Sequence, residues 1–164
     1  MEYQWTVYLH VAGVLLFVLA HGVSVGVAFR IRAERTPDRI LALLQLSTWS
    51  LGIFYAGILL LLGAGVLAGF MGPDQEFGGT SWWGDGWIWT ALITFVVTMF
   101  AMYGIASTYY RRLRTIVQAM AEGSEAVSED RLAQVLAGPR AWLLAVVGFG
   151  SLLFILYLML FKPF

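Results

Sequence analysis

Apolar residues in this chain neither alternate nor recur on one helical face; they run on unbroken. From Trp5 to Phe29, Ile40 to Phe70, Trp87 to Tyr110 and Ala141 to Phe161 there is no Asp, Glu, Lys or Arg. Each run reaches or exceeds the roughly 20 residues a helix needs to cross a bilayer core. Backbone amides in hydrocarbon must be satisfied within the segment, so the runs predict helices rather than isolated strands. The connections are short, which makes consecutive helices antiparallel. The expected fold class is an all-α integral membrane protein, a single domain built as a four-helix up-down bundle.

The polar residues fix the ends. Thr36-Pro37-Asp38 gives the second helix a hydroxyl N-cap, a proline in the first turn and an acid at the positive end of the dipole. The loop from Met71 to Gly86 is rich in turn formers (Gly72, Pro73, Gly78, Gly79, Gly84) and carries Asp74, Glu76 and Asp85. Past the third apolar run, Leu113, Ile116, Val117 and Met120 recur at helical spacing and extend that helix as far as Gly123-Ser124. A short amphipathic helix is expected after Ser128, with Glu129 and Asp130 in its first turn and Leu132, Val135 and Leu136 as its apolar face, stopped by Gly138-Pro139.

Charge then orients the bundle. Nine of the ten basic residues fall in the first and third loops: Arg30, Arg32, Arg35, Arg39, Arg111, Arg112, Arg114, Arg131 and Arg140. Lys162 alone lies on the other side. The positive-inside rule makes the arginine side cytoplasmic, both termini external, and the address the cytoplasmic (inner) membrane of a bacterium. The first run reads as a retained span rather than a cleaved leader, because no basic residue precedes it and Arg30 follows it. Composition agrees: 60% of residues are hydrophobic and 12% charged, with a mean hydropathy of +0.78. The net charge of zero argues against nucleic acid as a partner, and the lack of cysteine excludes disulfides and thiolate chemistry.

Two histidines, His10 and His21, are the only ones in the chain, and both fall in the first span. Eleven residues at about 100° each is close to three turns, so both project from one ridge about 16 Å apart along the axis. An imidazole inside a membrane is rare and needs a partner. The chemistry that would use it is axial ligation of haem b, with Gly13, Phe17 and Gly22 supplying close backbone approach and an apolar wall. No histidine on another helix can complete a bis-histidine site. Met102 on the third helix is expected near the level of His21, and Met159 on the fourth near that of His10. Methionine is more often a packing residue. A histidine in a span equally serves as an interhelical hydrogen-bond donor, or as a proton relay.

Other polar groups carry weaker signals. Thr90, Thr94, Thr98 and Met102 form a stripe, and Gln45, Ser47, Thr48 and Ser50 flank Trp49; both are expected as helix glue or as a pocket for a quinone headgroup. Tyr55 sits near mid-span as a donor to a histidine or a ligand. Gly22 with Gly26, and Gly65 with Gly69, are small-xxx-small pairs that allow helices to cross closely. Trp82, Trp83, Trp87 and Trp89 read as an interfacial belt. No phosphate-binding loop, HExxH or buried carboxylate pair is present.

Tyr8-Leu9-His10-Val11-Ala12-Gly13, followed by His21-Gly22, resembles the first helix of small bacterial four-helix membrane proteins of the CopD-like kind, and to a lesser extent membrane b-type cytochromes and HemJ-like protoporphyrinogen oxidases. The resemblance spans Tyr8 to Gly22, and Phe17 to Ala20 reads Phe-Val-Leu-Ala where that group carries Trp-x-Gly-Gly. It implies haem or copper handling, with His10 and His21 as ligands. The sequence thus leads to a membrane b-type haem protein for electron transfer or haem-linked redox chemistry, in contact with quinone or a redox partner protein. The competing expectations are a structural or accessory subunit of a membrane complex or a homodimer, and a small carrier using His21 as proton relay.

Overall fold

A computed structural model describes residues 2–71, 82–123 and 129–164. Among the described residues the chain is helical: α1 (Glu2–Ala33), α2 (Pro37–Met71), α3 (Gly86–Ala121), α4 (Glu129–Ala137) and α5 (Arg140–Phe161), with one 3-10 turn at Trp82–Gly84. Four segments are long and apolar enough to cross a membrane, as the four runs predict. The helices outlast the apolar runs, most of all α3, because polar residues at the ends can still hydrogen-bond along the helix once they are in water. Asp74, Glu76 and the turn formers between Gly72 and Gly79 lie outside the described residues, as do Ser124 and Ser128.

The bundle is two helical hairpins laid together, α1 with α2 and α3 with α5. The first closes through glycine. A Cβ placed on Gly57 would stand 2.7 Å from the Phe17 amide nitrogen and 3.1 Å from the Gly13 carbonyl oxygen, and one on Gly13 would collide with the Leu61 backbone. The two backbones therefore touch directly where neither has a side chain. Glu34 caps the connection, its carboxylate accepting the amides of Arg35 (3.0 Å) and Thr36 (3.1 Å). The Thr36 and Arg35 amides hold this carboxyl below its ordinary range, with the Arg39 guanidinium at 3.9 Å a lesser contributor.

The main buried cluster sits at the arginine-bearing end. Leu113, Ile116 and Val117 of α3 meet Val27 and Ile31 of α1, Ile40 and Leu44 of α2, and Leu132 and Leu136 of α4. The apolar stripe that prolongs α3 is thus a core face, and α4 closes that end of the bundle. Arg32 donates to the Gly138 carbonyl at 2.7 Å and ties α1 to the turn before α5. At the opposite end Trp87, Ala91 and Leu158 form a smaller cluster against which Met159 packs. Lys162 closes α5 with a left-handed backbone (φ 44°) and places its ammonium 3.9 Å over the Trp82 ring. The outward faces are apolar: Leu15, Leu59, Phe100 and Leu153 are each more than 60% exposed. A soluble domain would hide such side chains; in a bilayer that surface is already in its preferred solvent.

Candidate functional site

The ridge that carries both histidines meets different neighbours along its length. His10 lies on α2: its Nδ1 donates to the Leu61 carbonyl at 2.7 Å, and its ring rests on Gly65, where a Cβ would stand 2.7 Å from Nδ1. This is an interhelical tie of the packing kind. His21 is 7% exposed, and among the described residues its buried Nε2 has no hydrogen-bond partner. The ring stacks on Phe17 (6.4 Å between centroids, 9° between planes) and meets the edge of Phe149 at 5.0 Å. Its tip abuts α5 at Gly148, where a Cβ would collide with both Nε2 and Cε1. Leaving a buried nitrogen unpaired costs about 1–3 kcal/mol, so His21 is held against local stability.

Beside His21 a cavity of about 470 Å³ opens between α1, α2, α3 and α5. Ligand sites commonly fall in the range of roughly 300–1,000 Å³. Toward the tryptophan-bearing end it is stopped by three rings: Phe17 to Phe54 at 4.9 Å and Phe17 to Phe95 at 5.8 Å. Leu51, Met99, Met102 and Leu152 give it apolar walls. Ser24, Ser47 and Tyr110 form a hydroxyl-bearing flank on the way to the arginine-bearing end. There the Ser24 hydroxyl lies 3.5 Å from that of Ser47 and 3.4 Å from that of Ser50, and the Tyr110 hydroxyl donates to the Ser24 carbonyl at 3.0 Å. Arg111 and Arg114 complete that end, and among the described residues no carboxylate lines the cavity. Arg114 donates to the Thr48 hydroxyl at 3.0 Å, a polar link between α2 and α3.

The expected site residues are therefore dispersed. His21, Phe17 and Met102 border one cavity; His10 and Gly13 belong to the α1–α2 crossing. Gly22 and Gly26 have nothing within 4 Å of an added Cβ, so neither closes a helix crossing; Gly65 receives the His10 ring and Gly69 the Trp83 ring, side chains rather than helices. Met159 packs with Trp87 and Leu158. Thr90 bonds back to the Gly86 carbonyl at 2.9 Å and Thr48 to that of Leu44 at 2.9 Å, whereas Thr98 lines the cavity and Gln45 is exposed. Sequence reasoning missed Gly148 as the cradle for His21, the Phe54 and Phe95 stopper, and Arg111 and Arg114 as part of a site. A glycine-flanked Phe149 in an apolar helix was the only available sign of the first.

As an axial haem site the arrangement falls short. Iron bonded to Nε2 of His21 would crowd Gly148, where even a Cβ has no room, and His10, whose Nδ1 donates to the Leu61 carbonyl and leaves Nε2 as the ligating nitrogen, does not line the cavity. Among the described residues no group of three or more His, Cys, Asp or Glu could hold a metal ion. What fold and site define is a four-helix bundle of membrane-spanning length with a half-depth cavity, apolar at its closed end and cationic at its open one. No family model, no curated protein and no solved structure matches the chain.

Proposed function

We propose that this is a multi-pass protein of the cytoplasmic membrane that binds an acidic amphiphile, with the arginines and both loops that carry them on the cytoplasmic side. The apolar body of the ligand lies against Phe17, Phe54, Phe95 and Met102, and its carboxylate or phosphate meets Arg111 and Arg114. One observation carries this reading: a large apolar cavity whose cations both stand at one end and whose lining holds no carboxylate among the described residues.

The energetics assign the work to the arginines. A tail that moves from lipid into this cavity leaves one apolar medium for another, so hydrophobic transfer contributes little. Affinity must come from the head. A hydrogen bond to a charged group contributes about 1.5–3 kcal/mol, and Arg111 is open to solvent, which favours the lower end for each. Removing both arginines then weakens binding by roughly a hundredfold at 1.4 kcal/mol per decade.

Haem b is a second reading, favoured by the apolar walls and the two arginines of the cavity rather than by an axial ligand. It belongs to the same chemical class, an apolar macrocycle with two acids on one edge, and those acids would meet the same arginines. Bound haem would supply one-electron chemistry, and this chain would contribute the apolar walls, the anchoring cations and the exclusion of water. The test is what accompanies the protein in mild detergent. Organic extraction and mass spectrometry are expected to find a stoichiometric acidic lipid. A Soret band with a reduced-minus-oxidised α-band selects haem instead, and no bound amphiphile in either assay overturns the proposal.

A further inference from the structure

Two tyrosines on the lips of the cavity are out of place for the membrane depth they occupy. Tyr55 of α2 and Tyr103 of α3 line the cavity, yet they are 58% and 70% exposed on the outer surface of the bundle. Tyr103 lies eight residues from Arg111, about 12 Å along the helix, and Tyr55 seven residues from Thr48, about 10 Å, both toward mid-span. Tyrosine normally keeps its hydroxyl at the water interface. Here the Tyr55 ring packs edge-on to Phe54 at 5.7 Å, and among the described residues neither phenol has a hydrogen-bond partner. A hydroxyl turned toward hydrocarbon without a partner is unfavourable.

The edges between the two hairpins are not equally closed. Between α1 and α5 the His21 ring fills the gap, its tip against Gly148, whereas α2 and α3 are tied at the arginine-bearing end by the Arg114–Thr48 link. Above that link the slot between α2 and α3 is bordered by Leu51 (42% exposed), Tyr55 and Tyr103. In a bilayer spanned by the four helices this slot would face acyl chains rather than water.

We propose that this slot is the ligand's portal, that the ligand is taken from the cytoplasmic leaflet rather than from solution, and that Tyr55 and Tyr103 hand its acidic head across the hydrocarbon to Arg111 and Arg114. The inference rests on the acidic-amphiphile reading and adds the source and route of the ligand. The phenol O–H groups donate to a carboxylate or phosphate oxygen in transit, which lowers the barrier to carrying a polar head through lipid. At the end of the path the head belongs to the arginines, so the tyrosines govern rate and the arginines govern occupancy.

The test uses the full chain in phosphatidylcholine vesicles and parinaric acid as the probe, followed by energy transfer from the protein's tryptophans after stopped-flow mixing with parinarate-loaded donor vesicles. The double substitution Tyr55→Phe with Tyr103→Phe is expected to slow loading about a hundredfold, the loss of two hydrogen bonds to a charged oxygen at the lower end of their range, and to leave final occupancy unchanged. Tyr157→Phe, an exposed tyrosine of α5 that does not line the cavity, is expected to load at the original rate. Loading that is unslowed in the double variant, with occupancy intact, overturns the portal and leaves the binding site standing. No energy transfer in the unsubstituted protein overturns the binding site and the portal together.

Discussion

Replacing Gly57 by alanine adds one methyl group where two helix backbones already touch. The new carbon would lie 2.7 Å from the Phe17 nitrogen, 3.1 Å from the Phe17 Cα and 3.1 Å from the Gly13 oxygen. All three are main-chain atoms of α1, so no rotamer change can make room and the crossing itself must open. Overpacking of this kind costs about 1–3 kcal/mol. Alanine returns up to about 1 kcal/mol through its better helix propensity, which leaves a net loss of up to about 2 kcal/mol. Gly52 provides the matched control: the same helix, the same methyl, and nothing within 4 Å of the added atom. Gly52→Ala should be neutral or stabilising by up to about 1 kcal/mol. In lipid no hydrophobic driving force compensates for a loosened crossing, because packing is what holds membrane helices together. Thermal unfolding in mild detergent, followed by near-ultraviolet circular dichroism, should separate the two variants by about 4–8 °C, a difference of about 2 kcal/mol at about 2–4 °C per kcal/mol for a chain of this size. Equal midpoints for Gly57→Ala and Gly52→Ala would refute the direct backbone contact.

The two histidines should respond in opposite ways. His10→Leu loses the 2.7 Å bond to Leu61 and should destabilise by about 0.6 kcal/mol, the average for such bonds between membrane helices. His21→Leu removes a buried nitrogen that has no partner among the described residues, so stability should hold or rise; a large stability loss would show that His21 is structural. Glu34 is held below its ordinary value of 4.5, so its contribution is present above that pH and is lost as pH falls through the lower folded value. Glu34→Gln should therefore lower stability at neutral pH and flatten the fall in stability as the pH drops below 4.5. Lys162→Met removes a cation over Trp82 and should cost about 0.5–1 kcal/mol, readable as a small drop in melting midpoint without change in bound ligand.

The sequence made some of this legible and not the rest, for one physical reason. Length and the absence of charge mark a segment as able to span, so the four runs emerged directly. Where the chain leaves the apolar zone, periodicity works again, and Leu113, Ile116 and Val117 on α3 and Leu132 and Leu136 on α4 were readable as core faces. Within the runs it fails. A helix surrounded by lipid is apolar on every side and has no moment to say which face is inside. That is why Gly22 and Gly26 looked as good a contact pair as any, while the actual crossing uses Gly13 and Gly57. The spacing of His10 and His21 along α1 carried no information about the neighbours, and one ring met a carbonyl while the other met a cavity. Arg111 and Arg114 were read as topology signals alone, because charge at a span's end always suffices for that role.

The central claim is that Arg111 and Arg114 hold the head of an amphiphile whose body fills the cavity beside His21. It is tested most directly by native mass spectrometry of the protein released from mild detergent, comparing the unsubstituted chain with the Arg111→Ala, Arg114→Ala double variant. The account predicts one acidic amphiphile per chain in the first and its loss in the second, with both proteins folded by circular dichroism. An unsubstituted protein that carries no such adduct, or a double variant that retains it in full, would contradict the account.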